Sequence, residues 1–194
     1  MTGITPGGFE ITANSYMSVI GTYNQETRNA FCPRNIVLLT SPIKERYEPD
    51  ARYLTNYAED SDIWVSMPHL VKISNDRLCV LWSEFKILPD EDNSYKKVKF
   101  LTTKCVIVDA AGNAVSDVLE DDSPIASTPL GMSGNTSHNA YPVYHEGKIY
   151  WTYERHVTSK ADVIEYMDGN KKLYVFETIR GAAQYMGVFD KLQF

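Results

Sequence analysis

Cysteine is scarce and badly spaced for chemistry. The chain holds three, Cys32, Cys79 and Cys105, an odd number with no CxxC pair. That argues against a disulfide framework and against a cysteine-built zinc site. Basic charge is short as well: 19 Lys and Arg against 25 Asp and Glu leave a net charge of −6. Gripping a phosphate backbone takes clustered Lys and Arg, so nucleic acid is not expected as the main partner. No apolar run approaches the roughly 20 residues of a membrane-spanning helix, and membrane insertion is not expected. The opening MTGITPGGFE has no basic segment followed by an apolar core. Such an opening fits a cytoplasmic protein, or a piece of a longer exported chain.

Catalytic signatures are missing too. There is no GxSxG elbow, phosphate-binding loop or dinucleotide fingerprint. His69, His138, His145 and His156 show neither HExxH nor another metal-ligand spacing, so neither a metal nor a cofactor is expected. A helical period is also absent. The nearest case, residues 161–167, is rich in β-branched residues and runs into Asp168-Gly169, which reads better as a strand and turn.

What is present is strand grammar. Hydrophobic residues make up 43 % and tyrosines number 13, a composition that favours sheets and adhesive surfaces alike. In the stretch from Pro68 to Val118, large apolar residues alternate at Leu78, Val80 and Trp82, the period of a strand with one buried face. Leu70, Val71 and Ile73 precede them across a polar turn, Ser74-Asn75-Asp76-Arg77. Val106-Ile107-Val108 then leads into Asp109-Ala110-Ala111-Gly112-Asn113, where Gly112 or Asn113 supplies the positive φ of a tight turn. The pattern returns downstream. Setting Arg77 on Lys148 superposes Leu78, Val80 and Trp82 on Ile149, Trp151 and Tyr153. A second match sets Val106-Ile107 on Val163-Ile164 and Gly112-Asn113 on Gly169-Asn170. A third, Ile36-Val37-Leu38 on Val106-Ile107-Val108, extends the repeat towards the N-terminus.

In order, residues 1–10 read as a Gly/Pro-rich tail or linker and residues 11–194 as a single all-β domain. Its units cover about 11–58, 59–120 and 133–179, followed by a terminal strand. Antiparallel meanders repeated at this interval resemble β-propeller blades, particularly bacterial ones with long, irregular blades. The resemblance rests on Pro68 with Leu78, Val80 and Trp82, and on the echo Pro142 with Ile149, Trp151 and Tyr153. No WD dipeptide, kelch double glycine or Asp-box ties it to one propeller family. It implies a partial propeller that is completed by a homo-oligomer or by the remainder of a longer chain. The alternative architecture is a β-sandwich.

A meander sends alternate connections to opposite rims. One rim receives residues 59–68, 86–96, 133–142 and 156–160, all long and polar; the other receives tight turns. Binding groups usually sit on long loops of a rigid scaffold. The candidate ligand-binding residues are therefore Asp62, Trp64, His69, Tyr95, His138, Asn139 and Tyr141. Aromatic faces beside amides and carboxylates suit a sugar, and a protein surface equally. The expected function is non-catalytic recognition of a glycan or a protein, in an extracellular or cell-surface setting. The alternatives are a glycosidase-like or lyase-like propeller enzyme using Asp62, Asp90, Asp92 and Glu154, and a structural assembly domain marked by an exposed apolar patch. Trp82 and Trp151 read as core, and Glu84 and Glu154 as charges at strand ends.

Overall fold

The computed structural model describes residues 5–23, 34–44, 48–58, 61–87, 98–122, 141–156, 182–189 and 192. Among them the fold is all-β, with eleven strands and no helix. None of the described residues forms a helix long and apolar enough to cross a membrane. The strands are β1 (Thr5–Ile11), β2 (Ser15–Tyr23), β3 (Arg34–Pro42), β4 (Asp50–Tyr53), β5 (Ile63–Lys72), β6 (Arg77–Ile87), β7 (Val98–Asp109), β8 (Leu119–Asp121), β9 (Val143–His145), β10 (Lys148–His156) and β11 (Ala182–Phe189). They form three antiparallel sheets of order β1-β2-β3-β4, β5-β6-β7-β8 and β9-β10-β11. Each of the first two is a simple meander, and none of the three closes on itself.

The sheets stack face to face. Met17 and Val19 of β2 and Ile36 and Leu38 of β3 pack against Leu78, Val80 and Trp82 of β6 and Val106 and Val108 of β7. The opposite face of the second sheet, carrying Cys79, Leu81, Cys105 and Ile107, packs against Ile149, Trp151 and Phe189 of the third. The middle sheet is thus covered on both sides. This is why LCVLW and CVIV are apolar without interruption: a half-exposed strand alternates, while a strand buried on both faces admits a polar residue only where it finds partners. Each fully buried Leu, Ile or Val contributes about 1.5–3 kcal/mol, so the two seams dominate stability.

Strands β6 and β10 present their apolar residues in the same sense. Strands β6 and β10 are both second strands entered by a tight turn. Leu78, Val80 and Trp82 look back at the preceding sheet, as Ile149 and Trp151 do. Extending the repeat to Ile36-Val37-Leu38 needs a correction. Ile36 and Leu38 look forward to the following sheet, whereas Val106 and Val108 look back. The residues of β7 that look forward are Cys105 and Ile107. A one-residue slip exchanges the faces of a strand, and the apolar run of β7 hid the slip because both its faces are buried. The match to residues 163–170 lies outside the described residues.

Two other readings change. The supposed tail contains β1, which pairs with β2 from Thr5↔Gly21 to Ile11↔Tyr16. It has weak periodicity because its glycines serve packing: a Cβ on Gly7 would stand 1.9 Å from the Pro68 carbonyl oxygen. Only a residue without a side chain lets the β1 and β5 backbones come this close. The connection at residues 59–68 is also largely strand, since β5 begins at Ile63. Pro68 falls where the β5–β6 register shifts between Ser66 and His69, on the edge strand of its sheet. A bulge on an edge is where a residue lacking an N–H is tolerated.

Candidate functional site

Residues proposed for the long-loop rim take up different places among the described residues. Asp62 stands at the rim and pairs with Lys86, Oδ2 to Nζ 3.2 Å, tying the start of β5 to the end of β6. Both groups are half exposed, and such a pair contributes at most about 1 kcal/mol. Trp64 lies inside β5 opposite Phe85, not in a loop. Tyr141 precedes β9 and is 79 % exposed. Tyr95, His138 and Asn139 lie outside the described residues, as do Asp90 and Asp92. Glu154 is in β10 opposite Gln184.

His69 also belongs to β5, opposite Leu81, so it faces the seam with the third sheet. Its Nε2 is enclosed without a hydrogen-bond partner. Burial pushes its pKa down to about 4, which keeps the ring neutral near pH 7. The strand continues through the Pro68 bulge, carrying His69 away from the rim and into the stack.

The densest polar constellation lies elsewhere, in the seam between the first two sheets. Alternation along β6 continues past Leu78, Val80 and Trp82 to Glu84, which places a carboxylate on the core-facing side. Glu84 is 4 % exposed. Its Oε1 accepts from the Tyr57 hydroxyl and from the Trp82 indole Nε1 at 3.2 Å. Its Oε2 stands 3.1 Å from Lys104 Nζ, which also meets Glu120 at 3.3 Å. Tyr57 follows β4 and is itself fixed by its N–H donating to Asn35 Oδ1 at 2.9 Å. One buried carboxylate therefore joins the two sheets.

Burial, the hydrogen bond to Glu84 and the charges of Glu84 and Glu120 all push the Tyr57 phenol up. Burial pulls the Lys104 ammonium down, but the two carboxylates outweigh it and hold it above the ordinary lysine range. Each partner around Glu84 is thus held in one protonation state at neutral pH, and both carboxylate oxygens are engaged. The arrangement is a clamp between sheets. It offers no free base. The reading of Glu84 as a strand-end charge is corrected by its burial; the signal for it was the unbroken alternation from Leu78.

Neither a family model, nor a curated protein, nor a solved structure matches this chain. Function must be read from its own surfaces.

At the tight-turn rim, a cleft of ≈ 280 Å³ opens between the first two sheets, lined by Asn14, Ser15, Asp76, Arg77, Asp109 and Ala111. Its best acceptor is occupied: the Asp109 carboxylate receives the N–H groups of Ala111 and Asn113 and the Asn113 side-chain amide at 2.8–2.9 Å. Arg52 of β4 closes this corner by donating to Gly112 O at 2.8 Å and Asn113 Oδ1 at 2.6 Å. Among the described residues no group of three or more His, Cys, Asp or Glu is placed to hold a metal ion.

The outer face of the first sheet is of another kind. Register places Phe9 and Ile11 of β1, Tyr16, Ser18 and Ile20 of β2, Val37 and Leu39 of β3, and Ala51 and Tyr53 of β4 on the side away from the second sheet. None of these residues is charged. Phe9 and Tyr16 stack with ring centroids 6.0 Å apart. Phe9 is 58 % exposed, Ile11 48 % and Tyr53 62 %. Solvated sheet faces ordinarily alternate to polar residues. Val37, on the same face, is buried at 2 % exposure, so the open part is the uncharged apolar margin formed by Phe9, Ile11, Tyr16 and Tyr53. Exposed apolar groups gathered in this way mark a surface that a partner covers.

Proposed function

We propose that this protein is a non-catalytic recognition module built as a β-propeller-like arc of sheets, whose ligand is a protein engaged by the outer face of the first sheet. The observation that carries this reading is the exposure of Phe9, Ile11, Tyr16 and Tyr53 together on an uncharged face, while the other faces of the first two sheets carry the two buried clusters. The arc is supported by the convergence of successive first strands, β1 against β5 and β5 against β9. The acidic, Tyr-rich composition suits action outside the cell or at its surface. A photoreactive phenylalanine analogue at Tyr53 tests the reading in the native setting. Adducts with protein are expected from that position and not from the exposed turn residue Asp76; equal yields from both contradict it.

A second surface is favoured by one observation, the 79 % exposure of the Tyr141 ring at the start of the third sheet. Such a ring suits stacking against the C–H face of a sugar. A glycan array on which the wild-type chain binds and Tyr141→Ala does not supports this surface; an array left blank by the wild type rejects it.

A further inference from the structure

We infer that the partner of this face is a second copy of the same chain, with two copies closing one ring of sheets. The inference rests on the protein-docking reading above and goes on to name the occupant. Its ground is the repetition of one interface inside the chain. The second sheet presents its backward face to the first, and the third presents its backward face to the second, each through the equivalent residues of β6 and β10. The backward face of the first sheet, with Phe9, Ile11, Tyr16 and Tyr53, has no sheet in front of it among the described residues. At the other end of the stack, the forward face of the third sheet carries Val143, 56 % exposed, beside Tyr150 and Val188. A forward face meets a backward face at both existing seams. Docking the two end faces, neither of which meets another sheet among the described residues, continues the same interface.

The geometry selects a closed ring over a fibre. Stacked sheets ordinarily lie about 10 Å apart, yet β1 and β5 touch through their backbones, with Gly7 and Gly8 against Pro68 and Leu70. Sheets that converge on their first strands form an arc, and an arc of heterologous contacts closes when the rotation divides the circle. Propellers close with about four to eight sheets. The described residues of one chain contribute three sheets; on that count two copies bring six and three copies bring nine, so two is the number that fits.

The test is sedimentation velocity of the whole chain over a wide concentration range, joined to oxidative footprinting. The wild type is expected to be a dimer in which Phe9, Tyr16 and Tyr53 are shielded. Tyr53→Lys and Val143→Glu, both at exposed positions, are each expected to weaken association at least about tenfold, the cost of losing one well-packed contact. Mixing the two variants restores one sound interface and is expected to recover a weak heterodimer. Dissociation by Tyr53→Lys alone, with Val143→Glu without effect, indicates a symmetric pairing of first sheets and overturns the ring. A monomer with the three rings freely oxidised overturns the second copy and leaves the protein-docking reading standing. A monomer with those rings shielded overturns both.

Discussion

Removing the Glu84 carboxylate should loosen the first two sheets from each other, because three donors from both sides of the seam end on it. In Glu84→Ala the Tyr57 hydroxyl and the Trp82 indole lose their acceptor, and Lys104 keeps only the exposed Glu120. Removing one partner of a buried ion pair costs about 3–5 kcal/mol. Each buried donor left without an acceptor costs about 1–3 kcal/mol, though members of one network do not add. Because Lys104 retains some solvent and Glu120, the lower part of that range applies, and the loss should be about 3 kcal/mol. With a urea slope of about 2 kcal/mol per molar, the midpoint of unfolding falls by about 1.5 M. Glu84→Gln keeps the shape and one acceptor, so it should lose about half as much. A double-mutant cycle with Lys104→Met isolates the ion pair and should give a coupling of at least about 1 kcal/mol. A Glu84→Ala protein within about 1 kcal/mol of wild type, with no coupling to Lys104, would refute the clamp.

Three further outcomes follow from single residues. With its pKa lowered to about 4 in the fold, His69 stays neutral while the unfolded chain takes up a proton below the ordinary value of about 6.5. Stability should therefore fall as pH drops from about 6.5 to 4, by at most about 3 kcal/mol and less for the partial exposure of the ring. His69→Phe should flatten this part of the pH–stability curve; a curve of unchanged slope contradicts the burial of Nε2. Gly7→Ala forces a Cβ into the Pro68 carbonyl and should cost about 3 kcal/mol or more, at the upper end of overpacking effects. Gly147→Ala, at φ 80° with nothing within 4 Å, should cost only the left-handed strain of about 1–2 kcal/mol. A reversal of that order in thermal melts would deny the close approach of β1 to β5.

How much of this was readable in advance depends on how directly a residue's environment leaves a periodic trace. Alternation exposed β6 at once, and its echo in β10 matched the correct face because both strands start from a tight turn. The apolar run of β7 showed a buried strand but carried no face label. Strand β1 was invisible because a strand selected for backbone contact, TPGGFEI, loses the apolar signal by which strands are found. Pro68 looked like a strand start because a bulge is not written in composition. Glu84 was on the right face of β6 by simple counting, but its partners Tyr57, Lys104 and Glu120 come from distant positions that pairing alone brings together. The outer face of the first sheet was spread over four strands, so its apolar character emerged only once their register was known.

The account stands on a middle sheet covered on both faces, and native-state hydrogen exchange measures that cover directly. Amides of β6 and β7, from about Leu78 to Phe85 and from Thr103 to Val108, should exchange most slowly in the chain, near the rate set by global unfolding. Those of the short outer strands β4 and β8 should exchange far faster. Exchange in β6 and β7 as fast as in β4 would contradict the stack.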